Sequence, residues 1–130
     1  MNQPIHTLMQ REVQAAHIDD SMAAVELLLE RAKLSWVPVR DDGGLVVGAI
    51  STADLLHFHA QDRDAQAVHA WQWCHYKPLV VGPQTPVSRV ARQMIERRVH
   101  HAVVVEDGHI KGVVSALDLM TLLADPDTPA

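Results

Sequence analysis

What most limits the folds open to this chain is a seven-residue pattern that occurs twice. Gly48-Ala49-Ile50-Ser51-Thr52-Ala53-Asp54 returns as Gly112-Val113-Val114-Ser115-Ala116-Leu117-Asp118, with Gly, Ser and Asp at the same internal spacing. In each copy an apolar run, Leu45 to Ile50 or Ile110 to Val114, ends at the Ser, which reads as a strand feeding a helix. The Ser can cap that helix, and the Asp at its third position can reach back to the Ser backbone, a capping box that needs no ligand. The same atoms, a hydroxyl, a carboxylate and free N–H groups at a helix start, also make a seat for a polar ligand. A glycine inside each strand marks a close backbone approach. Taken alone, the residues do not choose between the two uses.

The flanks repeat in the same order. Val13 to His17 is expected as a short strand, and Asp19 or Asp20 as the cap of a helix running to about Lys33, with Ala24, Val25, Leu28 and Leu29 on one face. Trp36-Val37-Pro38-Val39 and Leu45 to Ile50 then form a hairpin around Arg40 to Gly44. In the second copy Leu79-Val80-Val81 is the first strand, and Thr85 with Pro86 reads as cap and first helical residue. Val87, Val90, Ala91, Met94 and Ile95 form its apolar stripe; shifted by 66 residues they fall on Ser21, Ala24, Val25, Leu28 and Leu29. A second hairpin, Ala102 to Val105 and Ile110 to Val114, precedes a closing helix that Pro126 ends. Between the copies, Gln61 to Tyr76 is the least repetitive stretch. Asp64 to Trp73 is expected as an extra helix, and Trp71, Trp73 and Tyr76 as a packing plug rather than a ligand stack.

Length and charge narrow the class. In 130 residues, two units of about sixty residues would be marginal apart, so a shared core is expected. No apolar run approaches the ~20 residues of a membrane span, and Met1 to His6 lacks the basic start and apolar segment of a signal peptide. A cytoplasmic protein is the expectation. A net charge of −5 argues against a general nucleic-acid or anionic-membrane surface. A local basic site could still hold a phosphorylated small molecule.

The pattern resembles tandem CBS domains, the pair often called a Bateman module, from about residue 8 to residue 124. The most specific part is Val99-His100-His101-Ala102-Val103-Val104-Val105 through Gly112 to Asp118, which is similar to the AMP-binding repeats of the AMP-activated kinase gamma subunit. The first copy matches through Trp36-Val37-Pro38-Val39 and Gly48 to Asp54. The resemblance implies an α+β fold of two β-α-β-β-α repeats, 8–60 and 77–124, related by a pseudo-two-fold axis, with a linking segment at 61–76. It implies clefts between the repeats that bind an adenosyl ligand: AMP, ADP or ATP before S-adenosylmethionine or NADH. Asp54 and Asp118 would take ribose hydroxyls, with Ser51, Thr52 and Ser115 beside them. Basic residues before the second strand would meet phosphate; the second copy offers His100 and His101 there, where the first has Leu34 and Ser35. A homodimer and a separate effector protein are implied as the route of output.

The remaining conspicuous residues have plainer uses. Nine histidines raise the question of a metal, but no two stand three or four apart on an expected helix, and no metal site is assigned. No nucleophile or metal-hydrolase motif is present, so the chain is not read as an enzyme and no cofactor is required. Cys74 reads as a small apolar residue. Arg89, Arg92, Arg97 and Arg98 read as a solvated face, with Arg97 or Arg98 as the one candidate to turn toward a phosphate. The function expected is a regulatory sensor of an adenosyl ligand. The competing expectation is a structural dimerisation or interaction module without a working ligand site.

Overall fold

The computed structural model describes residues 2–124. The chain divides into two units, Gln14–Pro78 and a second made of Met1–Val13 with Leu79–Ala130. The first unit contains β1 (Ala16–His17), α1 (Met22–Ala32), β2 (Trp36–Arg40), β3 (Val46–Ser51), α2 (Thr52–Ala60) and α3 (Ala70–Trp73). The second contains β4 (Val80–Val81), α4 (Val87–Arg97), β5 (His101–Glu106), β6 (His109–Ser115) and α5 (Ala116–Met120), with short 3-10 turns at Ile5–Thr7 and Thr121–Leu123. Each unit holds one three-stranded sheet, ordered β1-β2-β3 and β4-β5-β6. In both, the short first strand runs parallel to the central one and the third runs antiparallel to it. The fold is mixed α+β.

The two sheets carry the same defect in the same place. Val39 pairs with Gly48 and Arg40 with Val46, which leaves Val47 as an extra residue; Val104 pairs with Gly112 and Val105 with Ile110, which leaves Lys111 as the extra one. A bulge of this kind bends the strand and sharpens its twist. Here it lies beside the motif glycine and aims the strand end that carries Ser51 or Ser115.

Helix packing corrects the expected register. The buried residues are Met22, Val25 and Leu29 on α1, and Val87, Val90 and Met94 on α4. The copies are therefore offset by 65 residues through these helices, not 66. Ala24 is exposed, and Ile95 is 77% exposed. The caps shift accordingly. Ser21, not Asp19 or Asp20, caps α1 by accepting from Ala24 N–H at 3.1 Å; Asp20 instead accepts from His17 N–H at 2.9 Å. Pro86, in extended conformation, precedes the first helical residue Val87, and the Thr85 hydroxyl accepts from Gly82 N–H at 3.1 Å. Both helices end on a left-handed residue, Lys33 (φ 55°) and Arg98 (φ 54°). Pro126, expected to stop the closing helix, lies outside the described residues.

The stretch before each copy is also part of the repeat. Ile5 N–H donates to Thr85 O at 2.8 Å and Val87 N–H to Gln3 O at 2.9 Å; Ala70 N–H donates to Asp20 O at 2.8 Å and Met22 N–H to Val68 O at 2.8 Å. These contacts match at the 65-residue offset. Val68, Ala70 and Cys74 enter the core with Val25, Val37, Ile50 and Phe58, and Ile5 enters the core with Val87, Val90, Val104 and Val114. Each large aliphatic side chain so buried is worth about 1.5–3 kcal/mol. The helix expected over Asp64 to Trp73 shrinks to Ala70–Trp73, because His69 is drawn into an extended bridge with Ser21. An extended residue there cannot continue a helix.

Candidate functional site

Both motif serines cap as expected. Ser51 Oγ accepts from Asp54 N–H at 3.2 Å, and Asp54 Oδ2 accepts from Ser51 N–H at 2.7 Å and from the Ser51 hydroxyl at 3.0 Å. Ser115 Oγ accepts from Asp118 N–H at 3.1 Å, and Asp118 Oδ2 accepts from Ser115 N–H at 2.8 Å. The first helical N–H is also used: Thr52 donates to Ser35 O at 2.9 Å and Ala116 to His100 O at 2.8 Å. Fewer N–H groups are left open at these helix starts than the sequence suggested. The side-chain acceptor each motif turns elsewhere is Oδ1 of its Asp.

The partner of that Oδ1 comes from a segment the motif does not predict. In the first unit His75 Nε2 donates to Asp54 Oδ1 at 2.6 Å; in the second Gln10 Nε2 donates to Asp118 Oδ1 at 3.3 Å. His75 and Gln10 occupy equivalent places. His75 exchanges two backbone hydrogen bonds with Ala49, and Gln10 two with Val113. The motif glycines make these approaches possible. A Cβ on Gly48 would lie 2.4 Å from His75 O, and one on Gly112 would lie 2.6 Å from Met9 Sδ and 2.9 Å from Gln10 O.

The surroundings then diverge. Asp54 is buried, and Trp73 Nε1 donates to its backbone carbonyl at 3.1 Å. Trp73 meets Phe58 edge-on with 5.2 Å between ring centroids, and the Arg63 guanidinium sits 5.6 Å from the Trp73 ring centroid. Trp73 is thus the packing plug, whereas Trp71 and Tyr76 are exposed, the Tyr76 hydroxyl bonding the Trp71 carbonyl. Cys74 is buried against Gly48, and burial pushes its thiol above the ordinary range. In the second unit Asp118 is half-buried.

Strand register sharpens the difference. Trp36 pairs with Ser51, and His101 with Ser115. The first copy therefore holds Ser35 and Trp36, not Leu34 and Ser35, where the second holds His100 and His101. His101 is half-buried. Burial lowers its pKa below the usual 6.5, His100 lowers it further, and Asp118 opposes both. Of the residues singled out from sequence, His100, His101, Ser115 and Asp118 meet at one end of the second sheet. Ser51, Thr52 and Asp54 meet at the matching end of the first.

A separate group was not foreseen. His17, Asp19 and Asp42 bring one potential ligand atom each within 4.8 Å of one another. His17 Nδ1 accepts from Asp19 N–H at 3.0 Å, so Nε2 carries the proton and donates to Asp42 Oδ1 at 2.5 Å. Both ring nitrogens are engaged within the protein. Among the described residues no helix is long and apolar enough to cross a membrane.

Comparison with known proteins places these features in context. The family model described as the CBS domain matches residues 5–60 and 72–125. The gamma-3 subunit of 5'-AMP-activated protein kinase from Sus scrofa is 27% identical over 110 residues, spanning 78% of this chain and 21% of that protein. The chain thus spans about a fifth of the length of the curated relatives it matches first. The CBS domain of a bacterial CNNM/CorC-family Mg2+ transporter, solved in complex with ATP, superposes with a TM-score of 0.81 at 24% identity, over 91% of this chain and 84% of that one. A CBS domain pair solved with 5'-methylthioadenosine and S-adenosyl-L-methionine superposes with a TM-score of 0.84 at 20% identity, over 93% of this chain and 99% of that one.

Proposed function

The chain belongs to the CBS-domain family, its two copies forming a CBS pair, and from that premise we propose that it is a regulatory sensor binding an adenosyl ligand through its second motif. The observation that carries the reading is the grouping of Asp118, Ser115, His100 and His101 at one end of a sheet. The Ser115 backbone fixes the Asp118 carboxylate through Oδ2, while Oδ1 meets only a long contact from Gln10, at 3.3 Å, among the hydrogen bonds named above. An ionised carboxylate in this state accepts ribose hydroxyls with charge-assisted bonds. The imidazoles of His100 and His101 stand where a phosphate would gain from a nearby proton donor. CBS structures of the same fold solved in complex with ATP, and with 5'-methylthioadenosine and S-adenosyl-L-methionine, support the ligand class. AMP, ADP and ATP are the first candidates, ahead of S-adenosylmethionine and NADH.

The output in this reading is a population shift: the ligand favours one arrangement of the protein to the extent that it binds that arrangement better. A homodimer and a separate effector are part of the proposal. Exposed Leu117, Met120, Leu123 and Ile95 in the second unit support an interaction role, since exposed apolar side chains of this kind favour association. They also support the second reading, an interaction module without a working ligand site. Thermal unfolding in the presence of AMP, ADP, ATP, S-adenosylmethionine and NADH separates the two. A ligand at 100 times its dissociation constant adds about 2.7 kcal/mol. The sensor reading expects one such shift, lost in Asp118→Ala; no shift with any of the five overturns it in favour of the interaction module.

A further inference from the structure

The two motifs share Gly, Ser and Asp at one spacing but differ in what occupies the carboxylate oxygen that the capping box does not use. Oδ2 serves the capping box in both copies, which leaves Oδ1 as the oxygen without a capping role to accept from a ligand's diol. At Asp54 that oxygen already holds His75 Nε2 at 2.6 Å; at Asp118 it holds the neutral Gln10 amide at 3.3 Å. A donor bonded at 2.6 Å to a carboxylate is a strong partner, and one at 3.3 Å is near the limit of a hydrogen bond.

The His75 contact is also anchored on both sides. Two backbone bonds to Ala49, each 2.9 Å, fix its main chain, and two residues earlier Trp73 Nε1 holds the Asp54 carbonyl at 3.1 Å. At the 65-residue offset Leu8 stands in place of Trp73, and its side chain has nothing to donate. The Asp54 side chain is left 11% exposed, while that of His75 is 71% exposed. The imidazole thus lies over the carboxylate from the solvent side and is not itself a core residue.

We propose that His75 is a latch that closes the first motif to adenosyl ligands, so that each chain binds one such ligand, at Asp118. This inference rests on the sensor reading above. His75 acts on selectivity between the two motifs at the carboxylate itself, and Gln10 is the permissive counterpart that leaves the second one open. The exposure of the His75 ring means that its replacement removes the latch without opening a cavity in the core.

Isothermal titration with adenosine, which carries the ribose diol and no phosphate, isolates the carboxylates from the difference between Trp36 and His101. The wild type is expected to bind one adenosine per chain, and His75→Gln and His75→Ala two. Gln10→His is expected to weaken the single wild-type site about tenfold or more, the cost of competing with one charge-assisted bond. Two sites in the wild type, or one site in both His75 variants, overturns the latch while leaving the sensor reading intact. A wild-type site that survives Asp118→Ala and is lost in Asp54→Ala overturns the latch as well. Failure of adenosine, AMP, ADP, ATP, S-adenosylmethionine and NADH alike to bind any variant overturns the sensor reading itself, and the latch with it.

Discussion

Gly48 lies so close to the backbone of His75 that a Cβ at position 48 would sit 2.4 Å from the His75 carbonyl oxygen. That oxygen accepts from Ala49 N–H at 2.9 Å, so it cannot retreat without loosening the bridge that presents His75 to Asp54. At Gly112 the nearest atoms are Met9 Sδ and Cγ, at 2.6 and 2.8 Å, in a flexible side chain, and the backbone oxygen, that of Gln10, lies at 2.9 Å, farther than its His75 counterpart. Gly48→Ala is therefore expected to destabilise by about 2–3 kcal/mol and Gly112→Ala by about 1–2 kcal/mol, within the range for overpacked sites. Urea unfolding of the two variants checks the order; an equal or reversed order would show that the His75 strand yields.

The aspartates separate in the same way. Asp54 is buried and accepts from Ser51 N–H, the Ser51 hydroxyl and His75, whereas Asp118 is half-buried and accepts from Ser115 N–H and, at long range, Gln10. Asp54→Ala should cost about 2–4 kcal/mol, because it strands partners of a buried carboxylate. Asp118→Ala should cost about 1 kcal/mol, the worth of a helix cap. Denaturant midpoints measured side by side decide this, and equal losses would contradict the account of Asp54.

His101 gives the stability a pH dependence with a definite sign. Burial, then His100, hold its pKa below the usual 6.5, with Asp118 acting the other way. Between its folded and unfolded values the unfolded chain binds more protons, so stability rises with pH there. Its contribution is complete above about 6.5 and is lost as pH falls through the lower folded value. A phosphate placed beside the ring would reverse the shift, so AMP binding should take up a proton and tighten as pH falls. NMR titration of the His101 ring with and without AMP measures both, and a pKa above 6.5 in the free protein would refute the assignment.

Lys33 ends α1 in the left-handed region at φ 55°, where an L-residue with a Cβ pays about 1–2 kcal/mol. Lys33→Gly removes that strain and adds backbone freedom to the unfolded chain. A net gain of about 0.5–1 kcal/mol is expected from thermal unfolding. A loss would mean that the lysine side chain contributes more than its backbone costs.

Local physics explains which parts of this structure can be read from sequence. The Ser51 and Asp54 pair, and its copy at Ser115 and Asp118, are capping contacts three residues apart, and the hairpins follow from apolar runs around short turns. The approach expected at Gly48 and Gly112 is present, although the residues that make it are not evident locally. Gln10 reaches Asp118 across 108 residues and His75 reaches Asp54 across 21, and Met9-Gln10 and Cys74-His75 share no residue type. The equivalence emerges only once α1 and α4 are aligned by Met22 and Val87. Small residues such as Ala24 and Ala91 fit either face of a helix, which is why the apolar stripe slips by one. That slip places Leu34 and Ser35 opposite the histidines, when the strand register puts Ser35 and Trp36 there.

The central claim, a ligand seat at Asp118, is tested most directly by isothermal titration of AMP into the wild type and Asp118→Asn. The asparagine keeps the size of the side chain and removes the charge that would hold the ribose hydroxyls. Saturable binding in the wild type, weakened about tenfold or more in a variant that still unfolds cooperatively, is the predicted result. Equal AMP affinity in the two proteins would contradict it and move the seat away from Asp118.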